Sequence, residues 1–159
     1  MRAKPPKGLL MDGGHANPAI NLHKEFVSLQ NINQLFEKHQ VPEEFDLLSI
    51  DLDYDDYWVW SALDPKYRPR VLVIEHNSVV PAKMSLVVDP EDKRRWTGTS
   101  YYGASLRAMA DLGRRRGYTL VAVDAAGVNA FFVRQDILEC QKEQPLPVEQ
   151  VYVAMEQYE

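Results

Sequence analysis

Residues Phe45–Trp60, FDLLSIDLDYDDYWVW, decide the fold. Phe45, Leu47, Leu48, Ile50 and Leu52 form an apolar run between Pro42-Glu43-Glu44 and a cluster of aspartates. The run is too short for an ordinary helix and reads as a buried strand. It ends in Asp51 and Asp53. Asp55 and Asp56 then open a segment, Tyr57 to Leu63, that suits a short helix. Ligands in open α/β sheets bind outside the carboxyl ends of the strands, so the position of the two acids points to chemistry.

Downstream, Arg68-Pro69-Arg70 leads into Val71-Leu72-Val73-Ile74-Glu75, a second buried strand that ends in Glu75-His76-Asn77. Residues 78–99 form a long excursion with Pro81, Pro90 and a charged run from Glu91 to Arg95. Ser100 to Arg116 carries an apolar stripe at helical spacing (Tyr101, Ala104, Ala108, Met109, Leu112). Arginines gather at its carboxyl end and Gly117 is its stop. Tyr118–Asp124 and Asn129–Arg134 read as a hairpin across Ala125-Ala126-Gly127-Val128.

Upstream, Gly8–Asp12 reads as a strand closed by Gly13-Gly14, and Ala19–Ser28 as a second, irregular strand. Asn31–His39 reads as a helix capped by Ser28 and stopped by Pro42. Residues 1–7 are expected to be a disordered lead, 8–138 an α/β domain, and 139–159 a partly helical tail. Alternation of strands and helices argues for a mostly parallel sheet covered on both faces.

Composition narrows the function classes. A net charge of −5 gives no overall electrostatic case for nucleic acid. One cysteine, Cys140, allows no intramolecular disulfide and no cysteine-metal cluster. No apolar run approaches the roughly 18 residues of a membrane span, and the basic amino terminus lacks the apolar stretch of a signal peptide. A cytoplasmic protein without membrane or nucleic-acid partners is the expectation.

Taken together, FDLLSIDLDYDDYWVW, YRPRVLVIEHN and GTSYYGASLRAMADLGRRRGYTLVAVDAAGVNAFFV resemble an uncharacterised group close to the FkbM-type methyltransferases, from about Gly8 to Ile137. The resemblance implies a Rossmann-like sheet with an antiparallel last strand and S-adenosylmethionine as cofactor. It also implies a small-molecule or glycan acceptor. The group's first strand and glycine-containing cofactor loop stand one βα unit before the segment matching Gly8–Asp12. Seven residues precede Gly8 here, too few for that unit. The expectation is therefore an N-terminally truncated methyltransferase-like domain with weak or lost cofactor binding and an open sheet edge prone to self-association.

Asp12 matches the acid that ends the second strand of that fold and accepts hydrogen bonds from a ribose. An ordinary turn aspartate before Gly-Gly is the plainer reading. Asp51, Asp53, Glu75 and His76 form the catalytic candidate set, with one carboxylate as general base toward an acceptor hydroxyl. Three oxygen ligands and an imidazole also suit Mg²⁺ or Mn²⁺, although no metal is expected. Asp55 and Asp56 read as helix caps, Trp58 and Trp60 as core, and Asn129 as turn chemistry. Tyr54 or Tyr57 would line a pocket mouth. Arg114–Arg116 read as a solvated face or, more weakly, an anion-docking patch. His15, His23 and His39 show no metal spacing. Two alternatives stand beside the methyltransferase: a non-catalytic interaction module with the same sheet, and a metal-dependent glycosyltransferase using Asp51-Leu52-Asp53 as its Asp-x-Asp.

Overall fold

The structure, a computed structural model, describes residues 8–91, 98–141 and 145–154. The expected lead at 1–7, most of the charged run in the excursion, and the tail beyond 154 lie outside the described residues.

The central apolar run forms β3 (Glu44–Ile50). It connects through α2 (Asp56–Ala62) to β4 (Arg68–Glu75). The two strands pair in parallel, Phe45 opposite Pro69 and Ile50 opposite Ile74, so their carboxyl ends share one edge. A tight turn obliges β5 (Tyr118–Val123) and β6 (Asn129–Arg134) to be antiparallel. β6 then inserts beside β4, also antiparallel, and the order is β3-β4-β6-β5. The protein is α/β and this sheet is mixed: β3, β4 and β5 run in one direction and β6 runs against them, so the antiparallel strand is the last one, as expected, and the one parallel ladder of this sheet is β3–β4.

A separate parallel pair holds β1 (Leu10–Asp12) and β2 (Leu22–Lys24). The expected strand over Ala19–Ser28 shrinks to these three residues of β2. Pro18 starts a 3₁₀ turn whose Asn17 side chain accepts the Ala19 N–H, and Asn21 leaves it at φ 55°. β1 does not pair with β3. That strand, read from its sequence as buried, is an edge strand with Leu47 57% exposed. The apolar run specified a strand, but its outer backbone edge found no partner among the described residues.

The helices differ from expectation at their starts. α1 (Ile32–Lys38) takes Asn31, not Ser28, as its N-cap residue. The Asn31 carboxamide accepts the Ser28 N–H and donates to the Phe26 carbonyl, locking the approach instead of capping the helix. α3 (Leu106–Arg115) is shorter than the stripe suggested. Ser105 Oγ accepts N–H groups from both Ala108 and Leu86, and Gly103 sits at φ 54°, so the chain before it serves as loop. Gly117, at φ 79°, ends the helix as read. α4 (Gln135–Gln141) and α5 (Val148–Val151) follow, and Val148 is buried in the core.

One core gathers Trp60, Leu72, Ile74, Leu106, Met109 and Phe132, with the Trp60 and Phe132 rings 5.0 Å apart. Another lies beneath α1 and α2 around Ile32, Phe36, Val59 and Tyr67. Met11 of β1 and Phe45 of β3 both pack against it. The two sheets therefore share a core without sharing a hydrogen-bond ladder. Among the described residues no helix is long and apolar enough to cross a membrane.

Candidate functional site

The parallel β3–β4 pairing gathers acids at one edge. Asp51 and Asp53 follow β3 directly, and Glu75 closes β4. One carboxylate oxygen from each of the three lies within 4.8 Å of the others. Asp53 adopts φ 63°, in the left-handed region that aspartate tolerates better than most residues. Asp51 and Asp53 are exposed and Glu75 is half-buried.

Asp56 joins them from below. Asp55 is the N-cap residue of α2 and Asp56 the acid of its first turn, as read, but Asp55 makes no side-chain cap bond. Asp56 is 1% exposed and its Oδ1 accepts the Leu52 N–H at 2.9 Å, which ties the β3–α2 loop down. Burial, and then the charges of Asp51 and Asp53, push the Asp56 carboxyl up to about 7. Glu75 also rises to about 7, from burial first and then from Asp56, Asp51 and Asp53. Like charges this close cannot all ionise cheaply, so protons stay on the cluster near neutral pH. The Tyr102 phenol borders the site, raised by burial and by Glu75. Asn129 stands opposite Glu75 in the β4–β6 register, with its side chain bonded to Asp124 in the turn, as read from the sequence.

His76 is not brought into this group. It is 1% exposed, and its backbone N–H and its ring Nδ1 both meet the Val128 carbonyl at 3.0 Å. Burial lowers its pKa, and its Nε2 is buried without a partner. The neighbouring Asn77, which sequence reasoning passed over, is the loop's anchor. Its Nδ2 donates to the carbonyls of Ser100 and Tyr102, and its backbone N–H to Ala104.

Asp12 lies in the other sheet. Its Oδ1 accepts the N–H groups of Gly14 and His15, both at 2.7 Å, and meets the His15 ring at 3.1 Å. These bonds lower its pKa and are those of a turn aspartate. The other histidines are structural: the His23 and His39 rings lie 4.4 Å apart, and His39 meets Glu25. Trp60 is core, whereas Trp58 donates to the Val88 carbonyl. Tyr54 is buried, and the Tyr57 hydroxyl accepts from Arg115. Cys140 is exposed and unpaired.

The Asp12 contacts with Gly14 and His15 all fall on Oδ1, so Oδ2 is the oxygen that could accept from a ribose hydroxyl. A Cβ at Gly13 would meet Phe26, and one at Gly14 would meet the Asp12 carboxylate. Asp51, Asp53 and Glu75 are the described residues able to offer oxygens to a divalent cation.

No family model, curated protein or solved structure matches the chain.

Proposed function

We propose that this chain is the acceptor-side part of a methyltransferase-like α/β protein. In this reading Asp51, Asp53 and Glu75 receive a hydroxyl-bearing acceptor, and S-adenosylmethionine requires elements beyond the described residues. The observation that carries it is the gathering of three carboxylates at the shared carboxyl edge of two parallel strands. The antiparallel β6 between β4 and β5 supports it as well, because an antiparallel last strand is what the sequence resemblance implies. Glu75, raised to about 7, is poised to take a proton from an acceptor hydroxyl near neutral pH.

Calorimetric titration with S-adenosylmethionine tests the reading. The chain alone should show no micromolar binding. The chain with a strand-loop-helix of the resembling group fused before Gly8 should bind, and E75Q in that fusion should slow methyl transfer while leaving binding intact. Micromolar binding by the chain alone would overturn the incompleteness. A folded fusion that fails to bind would favour the non-catalytic interaction module.

A second reading, a glycosyltransferase using a divalent cation, is favoured by the 4.8 Å spacing of the carboxylate oxygens. It requires Mn²⁺-dependent turnover of a nucleotide sugar that is lost in D51N.

A further inference from the structure

At the opposite end of the four-stranded sheet from the acids lies a cleft of about 500 Å³. It is walled by the start of β4 (Arg68), the end of α3 (Arg115, Arg116) and the end of β6 (Arg134). We propose that this cleft is a binding site for a small dianionic oxyanion, a phosphate monoester or a dicarboxylate.

Charge supplies the first argument. Four guanidinium groups line the cleft with two carboxylates, Asp136 and Glu139, and Glu44 pairs with Arg68 and Arg134 from beside it, so four minus three leaves one positive charge. This surplus stands in a chain whose net charge is −5. The carboxyl terminus of α3 opposes it with roughly half a negative charge, which is smaller than the surplus.

The distribution of partners supplies the second. Arg134 is committed: it donates to Asp136 at 2.7 Å, to Glu44 at 3.4 Å and to the Arg68 carbonyl at 3.1 Å. Arg68 stands at 3.7 and 3.8 Å from Glu44 and Asp136. Arg115 and Arg116 differ. Arg115 donates to the Tyr57 hydroxyl at 3.1 Å, and Arg116 to the carbonyls of Ser61 and Leu63 at 3.3 and 2.6 Å. Neither has a carboxylate at ion-pair distance among the described residues. Arg116 also keeps a buried Nε with no acceptor. Two arginines held in place by neutral groups keep their positive charge for a ligand. Guanidinium groups receive phosphate and carboxylate through paired hydrogen bonds. The volume falls within the range of small-molecule sites.

The test follows backbone amide NMR signals of Gly117 and Gln135, which line the cleft. Inorganic phosphate is titrated into the labelled full chain at about pH 7.5, where it is mostly dianionic, with chloride holding ionic strength constant. A parallel titration uses malonate. The expected result is a saturable shift at both residues. R115Q, at an exposed position, should weaken it at least tenfold while leaving the melting temperature unchanged. R116K, which keeps the charge but loses the planar fork, should weaken it by roughly threefold or more. Saturation by both anions supports a site that reads charge, and saturation by one alone assigns the ligand class. Shifts that never saturate, or that R115Q leaves intact, would overturn the proposal.

Discussion

Two carboxyls raised to about 7 make the acidic edge a pH-sensitive element of stability. Asp56 rises from an ordinary 3.8 and Glu75 from 4.5. Across that interval the folded chain holds protons that the unfolded chain releases, so stability falls as pH rises toward neutrality. Asp12, Glu25, Asp124 and Asp136 are shifted down and act oppositely; what they contribute is lost only as pH falls through the acid range below the ordinary carboxylate values. His76, lowered by burial from an ordinary 6.5, opposes Asp56 and Glu75 in this interval as one group against two, so melting curves should show a temperature that declines between about pH 5 and about pH 7. D56N should flatten the decline, because its amide oxygen still accepts the Leu52 N–H while the buried charge is gone. E75Q should flatten it too. A wild-type profile that rises through this interval would contradict the assignment. Elsewhere, a glycine sits where helix propensity and packing disagree. A Cβ on Gly113 would stand 2.8 Å and 2.9 Å from the Phe132 ring and 3.1 Å from Trp60. Both rings are buried, Phe132 at 0% and Trp60 at 1% exposure. Alanine gains about 1 kcal/mol of helix propensity, but overpacking costs about 1–3 kcal/mol. G113A should lower the midpoint of denaturant unfolding, and an increase would show that the rings give way.

At the scale of the element, β3 is the exposed feature. It has β4 on one side and, among the described residues, no strand on the other. Glu44 and Asp46 guard its start, but Leu47-Leu48-Ser49-Ile50 carries no charge, and Leu47 is 57% exposed. Uncharged edges invite pairing with another chain. Sedimentation should detect self-association that rises with concentration, and L47K should reduce it. A surface lysine away from special contacts changes stability by about 0.5 kcal/mol or less, so the melting temperature should hold. Equal association by both proteins would place the contact elsewhere.

Across the whole molecule, the two sheets should not open together. β1 and β2 are three residues each and, among the described residues, neither has any other strand beside it, whereas β4 is flanked by strands on both sides. Two-stranded units are marginal alone, and local opening follows from sparse burial. Native-state hydrogen exchange should find the ladder amides of β2 less protected than those of Leu72 and Ile74, with a smaller dependence on denaturant. Matching protection would mean that the shared core beneath α1 and α2 welds the sheets into one cooperative unit.

Alternation, apolar runs and turn chemistry determined much of this protein locally. They placed β3, β4, the β5–β6 hairpin, the stop at Gly117, Trp60 in the core, and Asp51, Asp53 and Glu75 at one edge. A short crossover between two apolar runs is enough to make their ends coincide. Tertiary structure decided the rest. Periodicity encodes which side chains are buried, not who occupies a strand's backbone edge. The apolar β3 could therefore end at an edge, and β6, not β5, could take the place beside β4. Local sequence also leaves open how deep a polar side chain sits. Asp56 is buried while holding the Leu52 N–H, and His76 turns toward Val128, 52 residues away in the chain. The arginine cleft is the clearest case. Its walls come from residues 68, 115, 116 and 134, and only long-range packing brings those charges to one opening.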